Sequence, residues 1–229
     1  MGLIFTCEEV AKRIKQFSIF ESHHLIEVPT NHEVDDRISH HADLSIAVIH
    51  SQVFIEPGCF NPIVDKVKNI GLETKNFFCG DTHLQKIYPY DIAYNVLPMG
   101  GKIFHKVAYT DSVLKKNTPL EFVDVNQGYT RCSALPVGHF AAITSDEGLY
   151  KMLTAHGYNV LKIRPGHVLL DGYDHGFIGG VGCIVENYML LNGSLASHPD
   201  GDKMRQFILN QNYEIVELHR GPLEDVGSI

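Results

Sequence analysis

Tryptophan is missing from this chain of 229 residues, and no apolar run approaches the ~18–20 residues needed to span a bilayer. Basic residues are outnumbered: 19 Lys and Arg stand against 27 Asp and Glu, a net charge of −8. Phosphate recognition needs clustered Lys and Arg, so nucleic acid and anionic membrane surfaces are excluded as partners. Cysteine amounts to five, with no CxxC pair among Cys7, Cys59, Cys79, Cys132 and Cys183. That leaves neither a disulfide framework nor thiolate spacing for zinc, and it points to a reduced, cytoplasmic protein. The first residues lack the basic start of a signal peptide, and Gly2 with Thr6 fits only the loose myristoylation pattern. Gly179, Gly180 and Gly182 precede no capped helix, so they form no dinucleotide fingerprint. No cofactor is expected.

What is present is 44% hydrophobic residues, enough for a full core in one domain over residues 1–229 without staples. The Tyr and Phe residues are scattered at strand and helix spacing and read as core. Histidine is unusually frequent at 14, with His23, His24, His32, His40, His41 and His50 crowded together. Their spacing matches neither HExxH nor a helical i,i+4 pair. Neighbouring His residues on a strand point to opposite faces, so these read as loop and strand-edge residues rather than metal ligands.

Five short segments open on an acidic or small residue and run into apolar or small ones: Asp43–Ile49, Asp91–Leu97, Cys132–Val137, Gly180–Val185 and Asp225–Ile229. Their starts lie 48, 41, 48 and 45 residues apart, which marks a repeat. The elements downstream of each segment recur as well. After the first come a strand at Gln52–Ile55 and a helix opened by Asn61-Pro62 and closed by Gly71. The second has strands at Lys102–Tyr109 and Glu121–Val125 around a helix capped by Asp111. The third has Phe140–Ile143, a Thr144/Glu147 capping box with a helix to Gly157, and Tyr158–Ile163. The fourth has Tyr188–Leu191, a helix from Ser197 to about Asn210, and Glu214–Leu218. The fifth stops at Ile229, and its missing parts stand at the other end: a Thr6/Glu9 box for a helix over Cys7–Phe17, and a strand at His24–Val28. Sharing one unit between the termini staples a ring shut, so the expectation is a five-bladed α/β propeller of ββαβ units.

Such a ring resembles the pentein fold of the guanidine-modifying superfamily, which includes arginine and agmatine deiminases, dimethylarginine dimethylaminohydrolases and amidinotransferases. The resemblance implies a catalytic Cys after a Gly-rich stretch in the last blade. The matching segment here, Glu224–Ile229, contains none. It also implies a catalytic His two blades earlier, where this chain carries Cys132. The resemblance therefore implies a divergent member without standard deiminase chemistry. It extends to the ribosome anti-association factor of eukaryotes and archaea, which has about this length and no catalytic Cys.

First strands of such a ring line its axis, so Asp43, Asp91, Cys132, Ser133, Asp225 and Ser228 are expected to converge. Carboxylates around a channel suit a guanidinium or amine cation, because a carboxylate matches its fork of donors. The alternative is that each Asp caps its own turn. Cys132 needs a base to act as nucleophile, and His175, in the Gly-rich segment Asp174–Gly180, is the candidate. Otherwise the two are a buried structural thiol and a hydrogen-bonded loop His. Three functions compete: an enzyme on a guanidino or amine compound using Cys132 and His175, a non-catalytic protein binding a cationic small molecule or protein partner, and a His-dependent metal hydrolase. Uncovered blade edges would suit a homodimer.

Overall fold

The computed structural model describes residues 2–229 and contains five separate small sheets. The N-terminal segment forms strand β1 (Leu3–Thr6), helix α1 (Glu8–Ile14) and strand β2 (His24–Glu27), with β1 and β2 parallel. The first complete blade comes next: α2 (Ala42–Ser45), β3 (Ile46–Ile49), β4 (Gln52–Ile55), α3 (Pro57–Asn69) and β5 (Phe77–Cys79). The second has β6 (Leu97–Met99), β7 (Lys102–His105), α4 (Ser112–Asn117) and β8 (Glu121–Asp124). The third has α5 (Thr130–Ser133), β9 (Ala134–Pro136), β10 (Ala141–Thr144), α6 (Glu147–Ala155) and β11 (Asn159–Lys162). The fourth has a 3-10 turn at Ile178–Val181, then β12 (Gly182–Val185), β13 (Tyr188–Leu191), α7 (Gly201–Asn210) and β14 (Glu214–Glu217). In each complete blade the first two strands are antiparallel and the second and third are parallel across the helix.

The antiparallel pairs close through two-residue turns in three blades, and each turn starts with a positive φ: His50 at 53°, Gly100 at 51° and Glu186 at 55°. Hairpins this short favour such backbone because its twist matches that of the strands. The ring closes through five apolar clusters, each shared by neighbouring blades. Phe54 and Ile49 meet Val96 and Ile103, while Leu97 and Phe104 meet Ala142 and Leu149. Leu135 and Ile143 meet Met189 and Met204, and Phe5 with Ile26 meets Ile46 and Ile63. The last cluster joins Val10 and Ile14 of α1 to Leu190 and to Val226 of the C-terminal segment. The expected neighbourhood of the N-terminal helix and the Asp225 segment is therefore present. Arg13 of α1 reinforces it by donating to the side chains of Asn192 and Glu224.

Several local expectations are corrected. The first strands begin later than their sequence segments, because the leading residues at Ala42–Ser45, Thr130–Ser133 and Ile178–Val181 form single helical turns. Residues 225–229 form no ladder; Gly227 and Ser228 take left-handed φ of 71° and 67°. Strand β1 has no counterpart in the sequence pattern, and neither the Thr6/Glu9 nor the Thr144/Glu147 box forms. Cys7 stands at the first N-cap with no side-chain bond, and Asp146 caps α6 by accepting from the Leu149 amide. Helix α3 starts at Pro57 with Glu56 as its cap, and Asp200 rather than Ser197 precedes α7.

Candidate active site on the blade axis

The helical turns that delay the first strands carry the chemistry. Those at Ala42–Ser45 and Thr130–Ser133 hold Asp43 and Cys132, while the apolar turn at Ile178–Val181 offers the carbonyls of Gly179 and Gly180. A hydrogen-bond circuit passes through all five blades there. The Asp43 amide donates to Gly227 O at 3.0 Å, and Asn95 Nδ2 donates to Asp43 O at 3.1 Å. The Arg131 amide donates to Asn95 Oδ1 at 3.0 Å, and the Arg131 guanidinium donates to Gly179 O at 2.7 Å. The Val226 and Ser228 amides donate to Gly180 O at 3.1 and 2.9 Å, which returns the circuit to its start. A glycine is required at 179, because a Cβ there would lie 2.0 Å from Arg131 O and 2.5 Å from Cys132 O.

At the centre Cys132 Sγ donates to Asp43 Oδ2 at 3.0 Å and accepts from Asn95 Nδ2 at 3.1 Å. Both Asp43 and Cys132 are buried. Burial raises the Asp43 pKa against the pull of its donors. Asp225 is buried as well, accepting from the Phe177 amide at 2.9 Å and the Gly227 amide at 3.1 Å. Desolvation and the neighbouring Asp43 charge lift its pKa to about 7. His41 Nδ1 lies 3.8 Å from Asp225 Oδ1, and burial with the adjacent His40 lowers its pKa to about 3. The His41 imidazole is thus neutral at neutral pH. Desolvation, then the charges of Asp43 and Asp225, push the Cys132 thiol well above its ordinary value. A thiolate is disfavoured at this position.

Asp43 reaches a cavity of about 200 Å³ that opens at the hairpin end of the axis, past Val48, Pro98 and Pro136. Among the described residues, Asp43 Oδ1 meets no hydrogen-bond donor. Arg131 lines the same cavity and donates to Gly182 O at 3.0 Å and to the Ser228 hydroxyl. The axis is therefore mixed in charge rather than purely acidic.

Of the residues singled out from sequence, Asp43, Cys132, Asp225 and Ser228 come together. Asp91 is buried elsewhere, beneath the Tyr129 hydroxyl that donates to its Oδ2, and burial raises its pKa. His175 is exposed; its Nδ1 lies 3.1 Å from Gly176 O, and its ring packs edge-on against Phe177 at 6.4 Å. Among the described residues no hydrogen bond joins it to Cys132, because the Gly-rich loop turns its imidazole outward. Sequence reading missed Asn95, His41 and Arg131 as parts of the site. The signal for Asn95 was an amide inside the apolar stretch Ile92–Leu97, where a buried polar group must find partners. His41 stands two residues before Asp43, which opens the first repeated segment.

Among the described residues no group of three or more His, Cys, Asp or Glu could hold a metal ion, and no helix is long and apolar enough to cross a membrane. Known structures share the architecture. A DDAH from Pseudomonas aeruginosa complexed with citrulline is 10% identical, with 98% of this chain and 92% of that chain covered and a TM-score of 0.54. The agmatine deiminase of C. jejuni is 11% identical, with 94% and 75% covered and a TM-score of 0.53. SxtG, an amidinotransferase from Microseira wollei, is 10% identical, with 96% and 78% covered and a TM-score of 0.50. These likenesses establish the pentein five-bladed fold. No curated protein matches the sequence. A family model covers residues 6–229, and the chain belongs to that family, DUF6873, a family of unknown function.

Proposed function

We propose that this protein binds a small guanidino or amine cation at the axial carboxyls Asp43 and Asp225, without covalent catalysis through Cys132. The observation that carries this reading is Asp43: a buried carboxyl with no donor on Oδ1, in a residue that lines a cavity open to solvent. A cation supplying that donor would offset the carboxyl's desolvation and favour its ionised form. The pentein fold supports the guest class, since relatives of that architecture include an agmatine deiminase and an amidinotransferase. Against a nucleophilic role, the thiol is protonated, spends its proton on Asp43 and has no imidazole within hydrogen-bond reach among the described residues. A protein of this fold that only binds is the reading these features favour.

The test is calorimetric titration with agmatine and L-arginine, alongside a turnover assay for ammonia and methylamine release from arginine, agmatine and methylated arginines. Binding without turnover, weakened about tenfold or more in Asp43→Asn, is the expected outcome, as for loss of a charge-assisted contact. Binding unchanged in Asp43→Asn would overturn the site, and turnover abolished by Cys132→Ala would overturn the non-catalytic reading.

A further inference from the structure

The N-terminal sheet has two strands where each complete blade has three. Strand β1 stands where second strands stand elsewhere: it runs parallel to β2, and the Val28 amide donates to Thr6 O as the Gly80 amide donates to Ile55 O in the first blade. The third residue of every other second strand pairs with a first strand: Phe54 with Ala47, Phe104 with Leu97, Ile143 with Leu135 and Leu190 with Cys183. In the first blade the Glu56 amide donates to Ser45 O at 2.9 Å, a parity by which Ala47 and Phe54 exchange both main-chain bonds. Phe5 is the matching residue of β1. The His24 and Val28 amides bond Gly2 O and Thr6 O, so alternate residues of β1 serve β2, and the N–H and C=O of Phe5 point to the other edge. Among the described residues they meet no main-chain partner there. The chain's own C-terminal segment is held elsewhere: Val226 and Ser228 donate their amides to Gly180 O, and Gly227 O accepts from the Asp43 amide.

We propose that this free edge of β1 is an interaction site, which takes an extended apolar segment of a partner protein as the missing first strand, antiparallel to β1. An unpaired row of main-chain donors and acceptors is matched by extended polypeptide, which supplies both at the spacing of a strand. Phe5 lines the cavity at the hairpin end of the axis, and Ile46, Ala47, Val48 and Ile229 make the wall beside it apolar. Val48 is 46% exposed, so the mouth of that cavity is at the surface. The edge faces into the ring rather than outward, so a single extended segment reaches it and the outer strands of a second copy do not. This inference is independent of the cation reading, since it uses the main chain of β1 and no carboxyl.

The probe is a peptide with this chain's own first-strand sequence, Ser45–Ile49, acetylated and extended by lysines for solubility. It is added to the purified protein while amide hydrogen exchange is followed. At a concentration about ten times its Kd it is expected to slow exchange of the Phe5 amide about tenfold, and to leave the Thr6 amide, which serves β2, unchanged. N-methylation at the peptide's alanine, whose N–H faces Phe5 O in the proposed register, should weaken binding about tenfold. N-methylation at its valine, whose N–H faces away, should not. Every change is made in the peptide, so no outcome depends on a variant folding. No slowing at millimolar peptide, or equal effects of the two N-methyl groups, would overturn the inference. A Phe5 amide already slow in the free protein at every protein concentration would place the chain's own C-terminal segment on the edge. Protection that rises with protein concentration would place a second copy there, and either result would also overturn it.

Discussion

Asn95 is uncharged, yet its side chain makes four hydrogen bonds at the axis: to Asp43 O, to Cys132 Sγ, and from the amides of Arg131 and Cys132. Truncation would leave several buried groups unpaired at once. Asn95→Ala is therefore expected to cost ~3–5 kcal/mol, measured by urea unfolding, whereas a loss below ~1 kcal/mol would show that the circuit contributes little. Asp225 and His41 give a second residue-scale expectation with opposite signs. The Asp225 carboxyl, raised to about 7, holds its proton more tightly when folded, so its contribution is full below about pH 4. That contribution falls as pH rises and is gone above its folded value. His41, lowered to about 3, must stay neutral when folded, so its contribution is present above about pH 6.5 and is lost on acidification. Asp43 and Arg131 face Asp225 and His40 faces His41, and Asp225→Asn also takes away a charge that acts on Cys132. Relative to wild type, Asp225→Asn should shift the stability optimum to higher pH and His41→Gln to lower pH. Unfolding midpoints tracked from pH 4 to 8 check this, and shifts in the same direction would contradict the electrostatic account.

Among the elements, the helix caps separate a local role from a joining one. Asp146 caps α6 through the Leu149 amide and also accepts from Gln127. Asp111 caps α4 through the amides of Val113 and Leu114, and its other oxygen accepts from the amides of Asp81 and Thr82 and from the Tyr94 hydroxyl. It binds the exit of one blade to the next. Asp146→Ala should cost ~1 kcal/mol, the usual value of a cap, and Asp111→Ala about three times as much. Equal losses in chemical denaturation would show that the inter-blade bonds are unimportant. Asp111 was legible in sequence as a cap, because an Asp before an apolar-periodic stretch has one common use. Its second role depends on Asp81 and Thr82, some thirty residues away, and no local pattern encodes that distance. The same limit explains the other misreadings. Period and element order depend on local alternation and capping, so the ring and most helices were readable. The helical turns at Asp43 and Cys132 are imposed by the tertiary hydrogen bonds of Asn95 and Gly227, which override the strand preference of the residues beside them. The case for His175 rests on its glycine-rich setting, which states that a loop is present but not where its side chain points.

At the scale of the molecule, five blades with modest sheets of two or three strands leave a polar centre that no single blade could stabilise. Asp43, Asn95, Cys132, Gly180 and Asp225 come one from each blade, so the site exists only when the ring is shut. Two acids share that centre with raised proton affinity, and a bound cation would have to replace a proton held there. The most direct measurement is therefore the proton count on binding. Agmatine is titrated into the protein at pH 6.5 in buffers of differing ionisation enthalpy, with wild type compared to Asp43→Asn and Asp225→Asn. The account predicts net proton release on binding to wild type and a reduced release in both variants. Binding with no proton release, or the same release in all three proteins, would contradict it.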